Sequence, residues 1–426
     1  MTHIIGCDLA RCYFFAEFGR EIDKRWRARN YDERAFPDIA ATMLSDRSPI
    51  DYVGPDDITK WILSTDVQVA QNPSEFGDPP IALYHDSRVH IQALIWVDGT
   101  TSIHQHAFSG AFQVFAGSSI HSRWRFEETA RISSSLLLGK MERIAVDALR
   151  QRDITPISAG AGFIHSLFHL DRPSISVVVR TGHEKQHDPQ YVYLPPHIAE
   201  DRFTVNSLVE TRLRCLASME KFDPHYDQAL ERFIDQHDFK SVFAALRQDY
   251  LSRNSDERLA GLIGRMRERY AELVDLVVPV LKEEARRHNI IGRREQVSNE
   301  EHRYFLALLL NLQNQDEILQ LVGARFPGDP KHTVMRWAKE LSVTRPNGTF
   351  ALLDLEIEPD GRHLDFSVAG MVHAVFGALL HRASFEQVMA SLREEFGARC
   401  VEGEKESIHG LYEALKNSSV FHPLFR

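Results

Sequence analysis

One stretch constrains this chain more than any other, Gly99 to Gly117, GTTSIHQHAFSGAFQVFAG. It contains two histidines one residue apart, His104 and His106. Because side chains alternate between the two faces of a β-strand, a strand here would point both imidazoles to the same side. Two imidazoles on one face can bind one metal ion. The stretch therefore predicts a metal site built on a strand.

A third ligand must come from a neighbouring strand, and His165 is the best candidate. It lies in a second stretch, Gly160 to His169, which follows a turn signal and precedes the apolar strand Ser174 to Val179. Three neutral imidazoles suit Fe(II), Zn, Ni or Cu. They also leave coordination positions open, which is typical of a catalytic site. His169 is an alternative third ligand, although a supporting contact behind a ligand or a surface position suits it better.

The two stretches resemble the two sequence motifs of the cupin superfamily. The first motif has a Gly, then His-x-His, often a Glu, and a Gly. The second is Gly-x-x-His-x-x-x-Asn, which Gly162 and His165 match, with His169 in the Asn position. The resemblance covers roughly residues 1 to 200. It implies a double-stranded β-barrel that carries one metal ion.

The details resemble the cysteine dioxygenase-like branch, whose iron has three His ligands. The Glu of the first motif falls at Gly110, so the acidic ligand of many cupins is absent. A Ser-x-His-x-Tyr run beside the iron in that branch corresponds to Ser176, Val178 and Arg180, so only the Ser is kept. Asp86 stands where the branch places the Arg that grips the substrate carboxylate. These departures argue against cysteine itself as the substrate.

The resemblance implies a mononuclear non-haem iron(II) enzyme that acts with O2 on a small thiol or amino-acid-like substrate. Three residues are predicted substrate contacts: Tyr84, Arg125 and Ser176. Arg125 alternates in phase with His121 and Arg123, so it can face the cavity or, equally well, solvent.

Other functions remain open. The 2-oxoglutarate oxygenases use His-x-Asp or His-x-Glu, and His106 occupies that acid position, which argues against them. A metal-dependent isomerase or lyase fits the same three histidines. A ligand-binding sensor or accessory protein, whose helical part binds a partner protein, is the alternative to an enzyme.

The bulk properties bound the class of protein. A length of 426 residues suggests two or three domains, and a formal net charge of −10 argues against general nucleic-acid binding. The four scattered cysteines indicate reduced thiols, and we found no signal peptide or membrane-spanning run. We therefore expect a cytoplasmic protein.

The sequence pattern predicts an α+β fold in three parts. Residues 1–75 form helices that pack on a barrel, residues 76–204 form the cupin-type β-barrel, or jelly roll, and residues 205–426 form an all-α domain. Within the all-α domain, a capping box is predicted at Ser384 and a hairpin from Asn347 to Ile357. A homodimer or partner contact is expected through these helices.

Ten of the 21 histidines fall between residues 85 and 200, which favours a metal site supported by further imidazoles.

Overall fold

The computed structural model describes residues 9–64, 67, 69–71, 76–97, 99–203, 206–341 and 371–426. The chain divides into two compact units, Met1–Ala285 (unit 1) and Arg286–Arg426 (unit 2). The predicted boundary near residue 204 falls inside unit 1 and stays a prediction. Among the described helices, none combines the length and the apolar character needed to cross a bilayer.

The strands of unit 1 form two facing sheets. They are β1 (Pro80–His85), β2 (Val89–Trp96), β3 (Gly99–Thr100), β4 (Ile103–His106), β5 (Gly110–Ala116), β6 (Ser119–Ser133), β7 (Leu136–Leu149), β8 (Ile154–Ile157), β9 (Gly160–His169), β10 (Ser174–Thr181), β11 (Tyr191–Leu194) and β12 (Ile198–Asp201). The first sheet has the order β1-β2-β10-β5-β8 and the second β3-β9-β4-β11-β12-β7-β6. Because β6 also pairs with β9, six strands of the second sheet close into an antiparallel barrel.

The first sheet has one face against helices and the other against the second sheet. The helices before it are α1 (Leu9–Arg27), α2 (Phe36–Asp46) and α3 (Pro55–Ile62). On β10, Val177 and Val179 share a buried cluster with Phe18 and Phe36 of these helices. The alternate residues of β10, Ser176 among them, face a cavity between the sheets. The period of two therefore sorts each strand into a core face and a cavity face.

One part of the strand prediction was wrong. The pattern predicted separate strands at Ile120–Phe126, Ala130–Leu138 and Glu142–Ala148, whereas the structure has two long strands, β6 and β7. They form a hairpin that turns after Ser133. The register shifts at three places along this pair, and such bulges interrupt the alternation that marks a strand in sequence.

The remaining helices of unit 1 pack on the barrel strand β7. They are α4 (Ser207–Phe222), α5 (Tyr226–Gln236), α6 (Phe239–Arg253) and α7 (Asp256–Tyr270), followed by α8 (Val277–Gln296). Leu136 and Leu138 of β7 lie in the same buried cluster as Phe243 and Leu246 of α6.

Unit 2 is helical throughout its described residues. Its helices are α9 (Glu300–Asn311), α10 (Gln315–Arg325), α11 (Pro330–Leu341), α12 (Val372–Leu380), α13 (Phe385–Phe396), α14 (Ala398–Gly403) and α15 (Lys405–Lys416). The predicted capping box is confirmed, since the Ser384 hydroxyl accepts from the Gln387 backbone N–H and the Gln387 side chain accepts in return. The predicted hairpin from Asn347 to Ile357 lies outside the described residues. The predicted fold class, a jelly-roll barrel followed by a helical region, is confirmed.

Candidate metal centre

Three buried histidines converge in the cavity of unit 1. His104 and His106 lie on β4, and His165 lies on β9 directly opposite His104. One ring nitrogen from each residue falls within 4.8 Å of the others, and all three side chains are buried. In the part of the chain that the structure describes, this is the one cluster of His, Cys, Asp or Glu suited to a metal ion.

Hydrogen bonds from the far side of two rings fix which nitrogen faces the centre. The Nδ1 atom of His104 lies 2.7 Å from the Ser102 carbonyl oxygen, so it carries a proton and donates it. The Nδ1 atom of His165 lies 3.1 Å from Nε2 of His121. Nε2 of His104 therefore keeps its lone pair for a metal, and so does Nε2 of His165 in the tautomer that donates from Nδ1 to His121. Metal-binding histidines are typically held by such a contact behind the ring.

The centre also has the right size and charge. The Nε2 atoms of His106 and His165 are 2.9 Å apart. Two adjacent imidazole ligands at about 2.1 Å from an octahedral ion would be about 3 Å apart. An N–H···N hydrogen bond would give the same distance. With its Nδ1 proton on the side of His121, His165 presents an unprotonated Nε2 atom, which can accept that hydrogen bond or bind a metal.

Burial keeps these rings neutral. It lowers the pKa of His104 to about 4 and holds the pKa values of His106 and His165 well below their usual range. A neutral imidazole is the form that coordinates a metal ion, so no proton has to be displaced near neutral pH. The Nδ1 atom of His106 is buried without a hydrogen-bond partner among the described residues.

The three imidazoles open onto a cavity of about 280 Å³ between the two sheets. Eight of its lining residues are large and apolar: Phe76, Leu94, Trp96, Phe108, Phe112, Ile157, Leu167 and Val178. Six others offer polar groups: Gln92, Thr101, Ser176, Arg180, His183 and Gln190. No Asp or Glu of the described residues lines it. An apolar cavity with a few polar groups is the usual form of a small-molecule site.

The structure brings one of the three predicted substrate contacts to this cavity. Ser176 lines it from β10. Arg125 does not, because it lies exposed on the β6–β7 hairpin and pairs there with Glu142. Tyr84 does not either, because its hydroxyl donates to Asp86 over 2.6 Å on the helix-covered face of β1. The cavity geometry therefore supports Ser176 alone among the three.

His169 stands apart from the three histidines. Its Nδ1 atom lies 3.0 Å from the Ser119 hydroxyl, and its ring stacks on Trp96 at 4.6 Å. It is fully buried rather than on the surface, and it contacts none of the three. It is thus neither an alternative ligand nor the residue behind His165, since His121 holds that place.

Gly110 explains why the acidic residue of the first cupin motif has no counterpart. A Cβ atom at Gly110 would lie 2.2 Å from the backbone carbonyl oxygen of Val179. No side chain fits there without moving the paired strands β5 and β10. A carboxylate at this position is therefore sterically excluded.

The sequence pattern missed two residues of the site, His121 and Arg180. For His121 a signal was present, since it is one of the ten histidines between residues 85 and 200. Arg180 follows the alternation of Ser176 and Val178 along β10, so the period of two alone places it on the cavity face.

The fold and the centre define a class: a jelly-roll barrel with three imidazoles at its cavity. Comparisons with models of protein families and with curated proteins gave no match. Solved structures do show similarity. The dimethylsulfoniopropionate (DMSP) lyase DddQ from Ruegeria pomeroyi is 14% identical, with a TM-score of 0.16 over 23% of this chain and 40% of that one.

Two further solved structures are similar to part of this chain. The hydroquinone 1,2-dioxygenase from Sphingomonas sp. is 10% identical, with a TM-score of 0.21 over 25% of this chain and 67% of that one. A cupin-like protein from Thermotoga maritima is 12% identical, with a TM-score of 0.19 over 29% of this chain and 89% of that one. This chain thus spans less than half the length of the lyase. At these identities and TM-scores the likenesses carry no argument, and function has to be argued from the site itself.

Proposed function

We propose that unit 1 is a mononuclear non-haem iron(II) enzyme that uses O2 to oxidise a small organic substrate. The observation that carries this proposal is the set of three buried, neutral imidazoles of His104, His106 and His165 around one point of an apolar cavity. Imidazole nitrogen is a ligand that suits iron(II). Three ligands leave coordination positions open on the cavity side.

The residues of the chain would perform three tasks in such a reaction. The three histidines would hold the ion, and His121 would fix the ring of His165 through its Nδ1 atom. The aromatic walls, including Phe108 and Phe112, would exclude water and confine the substrate. A bound iron(II) ion supplies the electron transfer that activates O2, which no amino-acid side chain provides.

The cavity offers few groups for proton-transfer chemistry. A lyase or an isomerase needs a general acid or base within reach of its substrate. No described carboxylate lines the cavity, and apart from the three histidines His183 is the one described lining residue suited to that role. An oxygenase needs no such residue when the metal and O2 carry the reaction.

The metal content of the full chain, purified without a metal-binding tag, tests the proposal. We expect about one iron per chain in the native protein and its loss in His104→Ala, since the site would keep two ligands. His85→Ala is the matched control, because His85 is an exposed histidine of the same unit outside the cavity. An oxygen electrode then measures O2 uptake across thiols, amino acids and small carboxylic acids.

Each outcome decides between functions. Iron that is lost in His104→Ala but kept in His85→Ala, together with substrate-dependent O2 uptake, supports the oxygenase. Zinc or nickel at the same stoichiometry would favour an isomerase or lyase on the same site. Iron without O2 uptake from any substrate would favour a ligand sensor, and no metal in either protein would refute the proposed centre.

A further inference from the structure

Arg180 faces the cavity without a counter-ion. It lies on β10 in the same alternation as Ser176 and Val178, and all three line the cavity. Its Nε atom donates to Gln92 Oε1 over 2.9 Å and its Nη1 atom to the Thr181 carbonyl oxygen over 3.0 Å. No carboxylate among the described residues pairs with it.

A cation in such a place needs an explanation. An Arg side chain stays protonated in proteins, and its charge is costly to bury unless an anion balances it. Burial also lowers the pKa of Arg180 from its ordinary value, as expected for a cation with no anion beside it. Elsewhere in unit 1, Arg258 and Arg265 each pair with carboxylates.

The neighbouring groups complete a small anion-binding site. Arg Nε can only donate, so Gln92 contacts it through its amide oxygen, and the amide nitrogen remains free to donate to a ligand. Ser176 lies four residues before Arg180 on the same face of β10 and adds a hydroxyl farther along the cavity. A guanidinium next to an amide donor matches the single charge and the two oxygens of a carboxylate.

The anion site and the metal centre both adjoin one aromatic ring, that of Phe108. The guanidinium of Arg180 lies 5.0 Å from the centre of the Phe108 ring, and the ring of His106 lies 4.4 Å from it. A ligand bound to Arg180 therefore reaches the three histidines across an apolar surface. Leu94 and Phe112 add apolar side chains to the lining of the same cavity.

We propose that the substrate is a small carboxylic acid with an apolar body, whose carboxylate binds Arg180 and Gln92 while its other end lies at His104, His106 and His165. The inference rests on the proposed function for what happens at that other end. It also revises an expectation from the sequence. Asp86 occupies the position of the carboxylate-binding Arg in the resembling family, but here Arg180 supplies a guanidinium from a different strand.

Calorimetric titration of the full chain with matched acid and amide pairs tests the inference. The probes are benzoate against benzamide and phenylacetate against phenylacetamide, which differ mainly in charge. We expect the acids to bind and the amides to bind at least about tenfold more weakly, because a hydrogen bond to a charged group contributes about 1.5–3 kcal/mol, or 10- to 100-fold. Arg180→Met should remove this preference, and Arg180→Lys should keep part of it.

Arg131→Gln is the control variant, because Arg131 lies exposed on β6 and pairs with Glu128 there. It should keep the preference for acids. Equal binding of acid and amide, or an unchanged preference in folded Arg180→Met, would overturn the inference. Circular dichroism establishes that the variants are folded.

The titrations are run with metal-free and iron-loaded protein, so that the two proposals fail separately. Acid binding that depends on Arg180, in a chain that takes up neither iron nor O2, would leave the anion site standing and refute the oxygenase. An iron-loaded chain that takes up O2 with a neutral substrate and binds no acid would support the oxygenase and refute the anion site.

Discussion

The contact between His121 and His165 should control how tightly the centre holds a metal. Nε2 of His121 lies 3.1 Å from Nδ1 of His165, and the two side chains are only 3% exposed. Replacement of His121 by Phe keeps the ring and removes the acceptor. The Nδ1–H group of His165 is then buried without a partner, which costs about 1–3 kcal/mol. We therefore expect metal affinity to fall about 10- to 100-fold, as for other residues that support a ligand from behind.

Competition against a chromophoric chelator measures this affinity, with Zn(II) or Co(II) at a fixed pH. His121→Gln serves as the rescue variant, because its amide oxygen can accept the same proton and should restore most of the affinity. His169→Phe is the control, since it also removes a buried imidazole of the same sheet but touches none of the three histidines. Its affinity should stay within about twofold of the native protein.

Two results would refute this reasoning. Native affinity in His121→Phe would mean that the contact does not hold His165 for a metal. An equal loss in His121→Phe and His169→Phe would mean that any change in packing near the cavity disturbs the centre. The visible spectrum of bound Co(II) provides a second readout, because a displaced ligand changes its coordination geometry.

Two further predictions concern stability. Gly110→Ala should lower the free energy of unfolding in urea by about 1–3 kcal/mol, because its Cβ atom would lie 2.2 Å from the Val179 carbonyl oxygen. The control is Gly162→Ala, whose Cβ atom would have nothing within 4 Å and which should change stability by under about 0.5 kcal/mol. Equal effects of the two variants would contradict the steric argument. Burial lowers the folded-state pKa values of His104 and His121 to about 4, so between pH 6.5 and 4 the unfolded chain binds more protons and stability falls as the pH drops, by up to about 1.4 kcal/mol per pH unit for each histidine. Urea unfolding in EDTA at pH 7 and pH 5 measures this loss, and identical midpoints would show that the rings are not buried in their neutral form.

The sequence pattern was most informative where the structure depends on local geometry. The His-x-His spacing placed His104 and His106 on one face because side chains of a strand alternate, whatever the strand packs against. The spacing of the two motifs then selected His165, and the register places it opposite His104. The helices after residue 206 were equally readable, since apolar residues at three- and four-residue intervals mark them directly.

The pattern failed where a strand changes its surroundings along its length. His121 and Arg125 are four residues apart on β6, and the alternation alone gives them the same face. In the structure, β6 pairs with β9 from Ser119 to Trp124 only, and the register with β7 shifts between Arg123 and Trp124. His121 therefore lies inside and Arg125 lies in solvent.

By itself, then, the sequence determined the jelly-roll fold class, the three histidines and the helical region, because each depends on residues close together or on a motif of fixed spacing. Only the tertiary structure decided that His121 supports His165, that Arg180 enters the cavity without a counter-ion, and that Tyr84 and Arg125 stay outside it. Those outcomes depend on which strand packs over each face of a sheet. That packing is set by strand pairing between parts of the chain that are distant in sequence.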